Sequence, residues 1–341
     1  MPIPTSEQYA AMLDAALDGG YAFAAINVTS SQTLNGALRG FAEAGSDGIV
    51  QVTTGGAKYF AGGRSRAAGG RAFAALAHEL AADLPVHVAL HTDHCPPDQA
   101  DEFLVPLLAA SRERVERGEP PLFNSHMYDG STLPLEENLA ISARMLEQCR
   151  ELGIVLEVEC GVVGGEEDGI VGAADSEHLY TTTEDLLRVA EVLGTGERGR
   201  YLLAATFGNV HGVYAPGHVK LRPSILREGQ EALAEVAPGE RFHYVFHGSS
   251  GTPDHELEEA VSYGVVKVNV DTEMQYAFTR ALADHVLKHY DGVLRVDGEL
   301  GDKSAFDPRA WGARAEEAMA ARVVAECKRL DSAGRSVAPR A

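Results

Sequence analysis

Short runs rich in β-branched and aromatic residues alternate along this chain with longer amphipathic stretches. The predicted strands cover 21–28, 48–54, 86–94, 123–128, 154–163, 202–211, 242–247 and 265–271. The predicted helices cover 31–44, 71–83, 98–117, 135–152, 183–194, 223–236, 254–263, 273–290 and 313–331. Eight such alternations, with no linker rich in Pro or Ser, favour an α/β fold of the (β/α)8 TIM-barrel type over a doubly wound sheet. We expect a single domain over 1–341.

The two ends of the chain extend this pattern. An additional helix is predicted before the first strand, because Thr5 and Gln8 have capping-box spacing and a pair of glycines follows the apolar positions. The tail 330–341 is mostly small and polar, so we expect it to fray after a C-terminal helical extension. The first strand is followed by Thr-Ser-Ser and not by a GxGxxG motif, which argues against a nicotinamide cofactor.

Composition restricts the partners. The 341 residues include 50 acidic and 29 basic side chains, giving a formal net charge of -21, so nucleic acid and anionic membranes would be repelled. The four cysteines have no paired spacing, which is typical of free thiols in a reducing compartment. The N-terminus lacks the basic and apolar regions of a signal peptide, and we expect a cytoplasmic protein without a membrane partner.

Three histidines each close a different predicted strand: His94, His211 and His247. Each is followed at once by a small or turn-forming residue. A catalytic zinc site uses three protein ligands and keeps a fourth position for substrate, and barrel enzymes carry their chemistry where strands give way to loops. A lone histidine at a strand end is more often a satisfied polar residue, but three at equivalent ends favour a metal site.

Acidic residues accompany these histidines. Asp93 precedes His94 and would face the other side of an extended strand, so that a metal ligand and a proton carrier emerge together. The alternative is that Asp93 caps the helical segment that follows. Glu166 and Glu167 lie in the glycine-rich stretch 161–169, which we expect to be a mobile loop at the catalytic face. A carboxylate there could act as a base, although a solvated acidic loop is the commoner fate of such a run.

Glycine and hydroxyl residues follow the later strands, as they do at phosphate sites. The segments 211–212, 247–251 and 269–272 combine backbone amides with Ser and Thr hydroxyl groups. The loops after strands seven and eight are the usual phosphate cradle of such barrels. We therefore expect an anionic substrate group to bind at this face.

A lysine in the last predicted strand offers a different chemistry. Lys267 shares a strand face with Asn269 and Asp271, so it points inward if they do. A buried lysine raises a Schiff-base mechanism as an alternative to the metal. Glu157 and Glu159 on the fifth strand could neutralise it, and this structural ion pair is the favoured interpretation.

Longer motifs extend along nearly the whole chain: YAFAAINVTSS, GSDGIVQVTTGGA, VALHTDHC, LFNSHMYDGS, LEVECGVVGGEEDG, LLAATFGNVHGVY, VFHGSSG, YGVVKVNVDT and FDPRAW. Together they resemble the class II, zinc-dependent fructose-1,6-bisphosphate aldolases, in particular the actinobacterial group. The resemblance implies a lyase that reversibly cleaves D-fructose 1,6-bisphosphate to dihydroxyacetone phosphate and D-glyceraldehyde 3-phosphate in glycolysis and gluconeogenesis. It also implies a homodimer or homotetramer.

The resemblance assigns roles to individual residues. It implies that His94, His211 and His247 hold Zn²⁺, with Asp129 and Glu159 near a second or alternative divalent metal position. Asp93 matches the group that handles the proton on oxygen at the cleaved bond, Glu167 the group that exchanges a proton with carbon, and Asn269 the amide that orients the triose hydroxyl. The residues matching one phosphate site, where Na⁺ or K⁺ also binds, are Gly212, Gly248, Ser250, Asp271 and Thr272; those matching the other are Asn27, Thr53, Lys303 and Arg309.

Metal chemistry agrees with these roles. Aldol cleavage leaves an enediolate, whose negative charge a zinc ion with an open position can stabilise. Two positions depart from the family pattern, since Ala215 replaces the usual Lys and Thr53 replaces the common Ser. Tagatose-1,6-bisphosphate aldolase is the alternative activity, and a non-catalytic metal-binding barrel is a further one. A metal-dependent barrel hydrolase would carry His-x-His at the end of its first strand, where this chain has Ala25-Ile26-Asn27.

Overall fold

The structure, a computed structural model, describes residues 2–161, 163–167, 170–172, 179–211, 220–295 and 299–338, and it describes only the backbone of 164–167, 170–172 and His211. Eight strands within these ranges form the main sheet: β1 (Phe23–Asn27), β2 (Gly48–Val52), β3 (Val88–Thr92), β4 (Ser125–Tyr128), β5 (Val155–Cys160), β8 (Tyr201–Ala205), β10 (Tyr244–Phe246) and β11 (Val265–Val270). A smaller sheet contains β6 (Gly164–Glu167), β7 (Ile170–Gly172) and β9 (Val210–His211).

Helices lie between and after these strands. They are α1 (Ser6–Gly19), α2 (Ser31–Ala44), α3 (Thr54–Phe60), α4 (Arg66–Leu80), α5 (Leu104–Glu116), α6 (Leu135–Glu151), α7 (Thr183–Leu193), α8 (Ser224–Val236), α9 (Asp254–Ser262), α10 (Thr272–Lys288), α11 (Tyr290–Val293), α12 (Lys303–Phe306) and α13 (Pro308–Arg329). The main sheet is parallel and closes on itself in the order β1-β11-β10-β8-β5-β4-β3-β2. The predicted (β/α)8 barrel is confirmed.

The barrel interior changes from apolar to polar along the strands. Alternate residues of a strand face the same side, and one apolar cluster contains Phe23, Ala25 and Ile49 near the start of their strands. Two residues farther along, the corresponding positions carry Asn27 and Gln51, which are paired in register. The carboxyl ends of the strands therefore present hydrogen-bonding side chains to the interior, as a barrel active site requires.

The opposite, amino-terminal mouth of the barrel is closed by α1. Thr5 accepts a hydrogen bond from the backbone of Gln8, and the Gln8 side chain accepts one from Thr5, so the predicted capping box is present. The buried face of α1, which includes Tyr9, Met12 and Leu13, packs in the same cluster as the apolar barrel residues. This helix covers the amino-terminal end of the barrel, so the polar carboxyl-terminal end is the one available to a substrate.

Two predicted elements differ from the structure. The expected strand 202–211 is divided into β8 and β9, because Gly208 between them has a φ of 93°, which a continuing strand does not allow. The stretch 161–169 was expected to be a loop, which is wrong for 164–167. The backbone of these residues forms β6, antiparallel to β7 and parallel to β9, so that Gly165 pairs with His211.

The C-terminal tail, which we expect to fray, makes hydrogen bonds to the segment before β2. Its residues Ser336 and Val337 donate hydrogen bonds of 2.5 and 2.7 Å to the carboxylate of Asp47, which is buried at the start of β2. Ser332 is buried and accepts a hydrogen bond from Ser46. These contacts join the tail to the segment between α2 and β2; 339–341 lie outside the described residues. Within the described ranges, no helix is long and apolar enough to cross a membrane.

Candidate metal centre and active site

Two of the three strand-end histidines lie side by side at the carboxyl end of the barrel. His94 follows β3 and His247 follows β10, and their rings are 4.7 Å apart between centroids. Ligand atoms of Asp93, His94 and His247 all lie within 4.8 Å of one another. The backbone of His211 lies in β9, but its side chain is outside the description. The barrel therefore brings at least two imidazoles to one point.

The backbone at His94 explains why neighbouring residues face the same centre. A regular strand would turn Asp93 and His94 to opposite sides. His94 instead has a φ of 24°, a left-handed value that is uncommon for a residue with a side chain. This turn interrupts the alternation and brings both side chains into one cluster. The sequence prediction of neighbours with different orientations misses this local distortion, which carries a conformational cost typical of functional sites.

A second acidic layer lies behind His94. The Nδ1 atom of His94 is 2.9 Å from Oδ2 of Asp129, which follows β4, and 3.7 Å from Oε2 of Glu159 in β5. Glu159 Oε2 is also 3.6 Å from Nδ1 of His247. One ligand atom from each of His94, Asp129 and Glu159 falls within 4.8 Å of the others. This group and the first share His94, and a third group, His91, Asp93 and Glu157, shares Asp93 with the first, so the described residues contain three overlapping arrangements of metal-ligating atoms.

Asp93 is held by amides and does not cap a helix. Its Oδ2 accepts hydrogen bonds of 2.9 Å from both Asn27 Nδ2 and Gln51 Nε2, and its Oδ1 accepts one of 3.1 Å from Asn269 Nδ2. The short helical turn after Pro96 has no side-chain cap, so the capping alternative is wrong. Three donors on a fully buried carboxylate orient both of its oxygens.

Gln51 is a site residue that sequence reasoning missed. It is fully buried in β2, and its amide also donates 2.6 Å to Asn27 Oδ1. The sequence contains a signal for this role, because Gln51 is the one polar residue in the strand GIVQV and lies two positions from the inward-facing Ile49. A lone polar side chain in a buried strand needs a partner, which the three-dimensional structure supplies.

Lys267 is an ion-pair partner of Glu157. Its Nζ lies 2.9 Å from Glu157 Oε2 and donates 2.6 Å to Asn269 Oδ1, with all three groups buried. The expected pairing with Glu157 is present, while Glu159 lies with the histidines instead. A Schiff-base role needs a lysine open to substrate, and this one is closed in by its partners.

The electrostatics of the cluster favour charged forms. Burial opposes protonation of His247, but its hydrogen bond to Glu157 and the nearby Glu159 outweigh burial and raise the pKa of the imidazole to about 9. Burial likewise opposes ionisation of Asp129, yet hydrogen bonds from His94 and Ser131 hold the pKa of that carboxyl well below its usual range. Metal binding releases protons from the ligating groups. A divalent metal would therefore take the place of protons held between these imidazole nitrogens and carboxylate oxygens.

The donor set fits a divalent transition metal. Imidazole suits zinc, and carboxylate oxygens complete its coordination in proteins. The His94 Nδ1–Asp129 and His247 Nε2–Glu157 contacts are carboxylate–imidazole pairs of the kind that fix a ligating ring and its tautomer. The buried residues therefore fit a metal ion, with His94 and His247 as the imidazole ligands.

The predicted phosphate-binding residues are spread over more elements than the metal-ligating residues. Thr53 caps α3 by accepting a hydrogen bond from Gly56, Asp271 and Thr272 lie at the start of α10, and the loop after β10 contains Gly248, with a φ of 65°, and Ser250. Lys303 is exposed at the start of α12. The Arg309 side chain is 87% exposed and contacts Asp307, so the structure does not bring it to the cluster. Ala215 and Gly212 lie outside the described residues, as does the side chain of Glu167.

Comparison with known proteins gives a consistent result. The model of the family described as fructose-bisphosphate aldolase class-II matches residues 7–335. A fructose-bisphosphate aldolase of Streptomyces galbus is 56% identical over 340 residues, covering 99% of this chain and 100% of that protein. One of Corynebacterium glutamicum is 53% identical over 342 residues, covering 98% and 99%. The crystal structure of a fructose-bisphosphate aldolase from Campylobacter jejuni has a TM-score of 0.87 and 33% identity, covering 98% of this chain and 97% of that one.

Proposed function

The chain belongs to the class-II fructose-bisphosphate aldolase family, and from this premise we propose that it reversibly cleaves D-fructose 1,6-bisphosphate to dihydroxyacetone phosphate and D-glyceraldehyde 3-phosphate. It is a lyase of a metal-dependent class. The observation that carries the proposal is the buried convergence of Asp93, His94 and His247 at the carboxyl end of the barrel. The expected place of this reaction is glycolysis and gluconeogenesis in the cytoplasm, which the four buried free cysteines support.

His94, His247 and His211 are the proposed zinc ligands. A bound zinc supplies an electrophile that stabilises the negative charge developing when the carbon–carbon bond breaks. Asp129 and Glu159 are positioned to orient His94 and to serve an alternative metal position. A monovalent cation, Na⁺ or K⁺, is proposed beside the phosphate loops.

The chain's own groups divide the proton transfers. Asp93 takes the proton from the substrate hydroxyl as the bond breaks, since its carboxylate is buried beside the two histidines and oriented by three amides. Asn269 orients both Asp93 and the triose hydroxyl. Glu167, carried by β6, is proposed to exchange a proton with the carbon of dihydroxyacetone phosphate. The pairing of β6 with β9 supports this role because it joins Glu167's strand to His211's.

The two substrate phosphates are proposed to bind at opposite sides of this centre. Gly212, Gly248, Ser250, Asp271 and Thr272 would hold one. Asn27, Thr53, Lys303 and Arg309 would hold the other. Arg309 must leave Asp307 to do so, and the Asn27 amide already serves Asp93. A rearrangement of the α12–α13 start on substrate binding follows from this part of the proposal.

Association into a homodimer or homotetramer is proposed for the single domain 1–341. Large apolar side chains are exposed along one region of the chain, with Tyr276 63%, Leu287 74% and Leu300 86% exposed. A groove of about 750 Å³ between α10 and α13 adjoins Tyr276. Apolar surface of this kind on a folded chain is typical of subunit contacts.

Zinc-loaded protein assayed with fructose 1,6-bisphosphate and with tagatose 1,6-bisphosphate tests the function. We expect cleavage of the fructose compound, loss of activity with a chelator and recovery with added Zn²⁺. Borohydride with substrate should trap no lysine adduct. Preferential cleavage of the tagatose compound would assign the sister activity, and failure to cleave either would indicate a non-catalytic barrel.

A further inference from the structure

One buried ammonium group joins the two halves of the candidate site. The side chain of Lys267 is fully buried in β11, and its Nζ contacts Glu157 Oε2 at 2.9 Å and Asn269 Oδ1 at 2.6 Å. Glu157 in turn contacts His247, a candidate metal ligand, and Asn269 contacts Asp93. The first branch, through Glu157 to His247, and the second branch, through Asn269 to Asp93, therefore meet at Lys267 Nζ.

The first branch orients His247. Glu157 Oε1 lies 2.8 Å from His247 Nε2, and the carboxylate can only accept when it is ionised, so Nε2 carries the hydrogen. With Nε2 engaged by Glu157, Nδ1 is the ring atom that faces Glu159 and the candidate metal position. Lys267 Nζ holds the other oxygen, Oε2, of the same carboxylate and thereby directs Oε1 toward His247.

The second branch orients Asn269. An ammonium group donates but never accepts, so Asn269 must turn its amide oxygen toward Lys267. Its Nδ2 then faces Asp93 and donates 3.1 Å to Oδ1. The Asp93 carboxylate, which accepts, favours the same amide orientation, so Lys267 and Asp93 hold opposite ends of one amide.

A buried ion pair by itself does not account for this arrangement. Replacing such a pair with apolar groups is often neutral or stabilising, so a pair that only fills the barrel core has no advantage over aliphatic side chains. Here one cation satisfies acceptors on two different functional branches. We propose that Lys267 is a positioning residue that holds the Glu157 carboxylate against His247 and the Asn269 amide against Asp93 at the same time. This inference rests on the proposed metal-dependent aldolase function.

Two variants of the full-length protein separate positioning from charge balance. Lys267→Met removes both contacts but leaves the buried Glu157 carboxylate without its lysine partner. Lys267→Met/Glu157→Gln removes both charges, so it keeps a neutral core if the single variant fails to fold. We measure Zn²⁺ affinity by chelator competition, the visible absorption spectrum of Co²⁺ bound in place of zinc, and kcat and KM with fructose 1,6-bisphosphate.

The expected results follow from the two branches. In Lys267→Met Zn²⁺ affinity should fall roughly 10- to 100-fold, as for other residues that orient metal ligands, and the Co²⁺ spectrum should change; the loss in the double variant, which also removes the Glu157 carboxylate from His247, should be at least as large. The kcat should fall by a similar factor with KM altered less than about threefold, because the contacts act on the reacting centre. Arg329→Met, which breaks an ion pair with buried Glu326 on α13, is the matched control and should lower thermal stability without changing the spectrum or Zn²⁺ affinity.

Two outcomes would overturn the inference. If the double variant has the same Zn²⁺ affinity, Co²⁺ spectrum and kcat as the unmodified protein, Lys267 only neutralises Glu157. The same three results in Lys267→Met would show that neither branch depends on it. If the unmodified protein binds zinc but cleaves no sugar bisphosphate, the proposed function fails, while the metal-affinity and Co²⁺ measurements still decide the role of Lys267.

Discussion

At the scale of single residues, the site depends on polar side chains that buried strands tolerate only because each has partners. Asp93 accepts three hydrogen bonds from amides on three different strands or strand ends. Desolvating a carboxylate without such donors would cost several kcal/mol. The same amides leave the oxygens of Asp93 in a defined orientation beside His94, which is the requirement for directed proton transfer.

The proposed division of proton transfers between Asp93 and Glu167 makes a residue-scale prediction. Glu167→Ala should slow the exchange of a proton between dihydroxyacetone phosphate and solvent by about 100-fold or more while zinc stays bound. Asp93→Ala should preserve much of that exchange and suppress carbon–carbon cleavage. Isotope exchange monitored by NMR, alongside a cleavage assay and zinc content, distinguishes the two. Equal loss of both activities in both variants would contradict the division.

At the scale of elements, the two faces of neighbouring strands have different tasks. On β3 and β4, His91 and Ser125 face the site network, with 2.8 Å between His91 Nδ1 and Ser125 Oγ. The next residues, Thr92 and His126, contact each other on the other face at 2.8 Å. Register thus decides whether a histidine serves the site or the packing between barrel and helices.

His126 provides an element-scale test through pH. Burial lowers the pKa of its imidazole to about 3 in the folded protein, whereas an unfolded histidine titrates near 6.5. Below pH 6.5 the unfolded state therefore binds a proton that the folded state does not. The free energy of unfolding should fall as pH decreases from 6.5 toward 3, by at most about 1.4 kcal/mol per pH unit for this group.

His126→Gln should reduce the pH dependence of the unfolding free energy by up to about 1.4 kcal/mol per pH unit, which corresponds to one proton. Denaturant titrations between pH 5 and 6.5 measure this change. Burial also lowers the pKa of His91, so part of the slope should persist. His255→Gln, on the exposed part of α9, is the matched control for a histidine replaced at the surface. An unaltered slope in His126→Gln would show that this histidine does not resist protonation in the folded state.

At the scale of the whole molecule, the chain's two ends fasten the amino-terminal side of the barrel, away from the site. The helix α1 closes that mouth, and the tail joins the start of β2 through Asp47. Asp47 also accepts a 2.7 Å hydrogen bond from the backbone of His87, which ties β2 to the segment before β3. One buried carboxylate thereby connects segments far apart in sequence.

Asp47→Ala should accordingly lower the free energy of unfolding by about 3 kcal/mol, because hydrogen bonds to a buried charged group are lost and the His87 amide is left without this acceptor. Removal of 336–341 should cost less, since the His87 contact remains. Chemical denaturation measures both, and kcat should be unchanged because the contacts lie at the opposite end of the barrel. A loss below about 0.5 kcal/mol in Asp47→Ala would contradict this role.

Much of this organisation follows from sequence alone, because alternation of strands and helices is a local property. The β-branched runs predict the eight barrel strands, the capping-box spacing of Thr5 and Gln8 predicts α1, and the amphipathic stretch 31–44 matches the span of α2. Strand-end histidines and Asp93 point to metal chemistry, and the family motifs predict the activity. These features are encoded in neighbouring residues, so no long-range information is needed to recognise them.

Other features arise only when distant strands meet. The left-handed backbone at His94, the amides from Asn27 and Gln51 on Asp93, and the choice of Glu157 over Glu159 as the partner of Lys267 all depend on barrel register. The division of the predicted strand 202–211 and the anchored tail likewise depend on partners remote in sequence. Local sequence patterns indicate which residues are polar and where strands end. Tertiary packing decides the hydrogen-bond partners across a closed barrel, because buried polar groups pair with whichever groups the fold brings within reach.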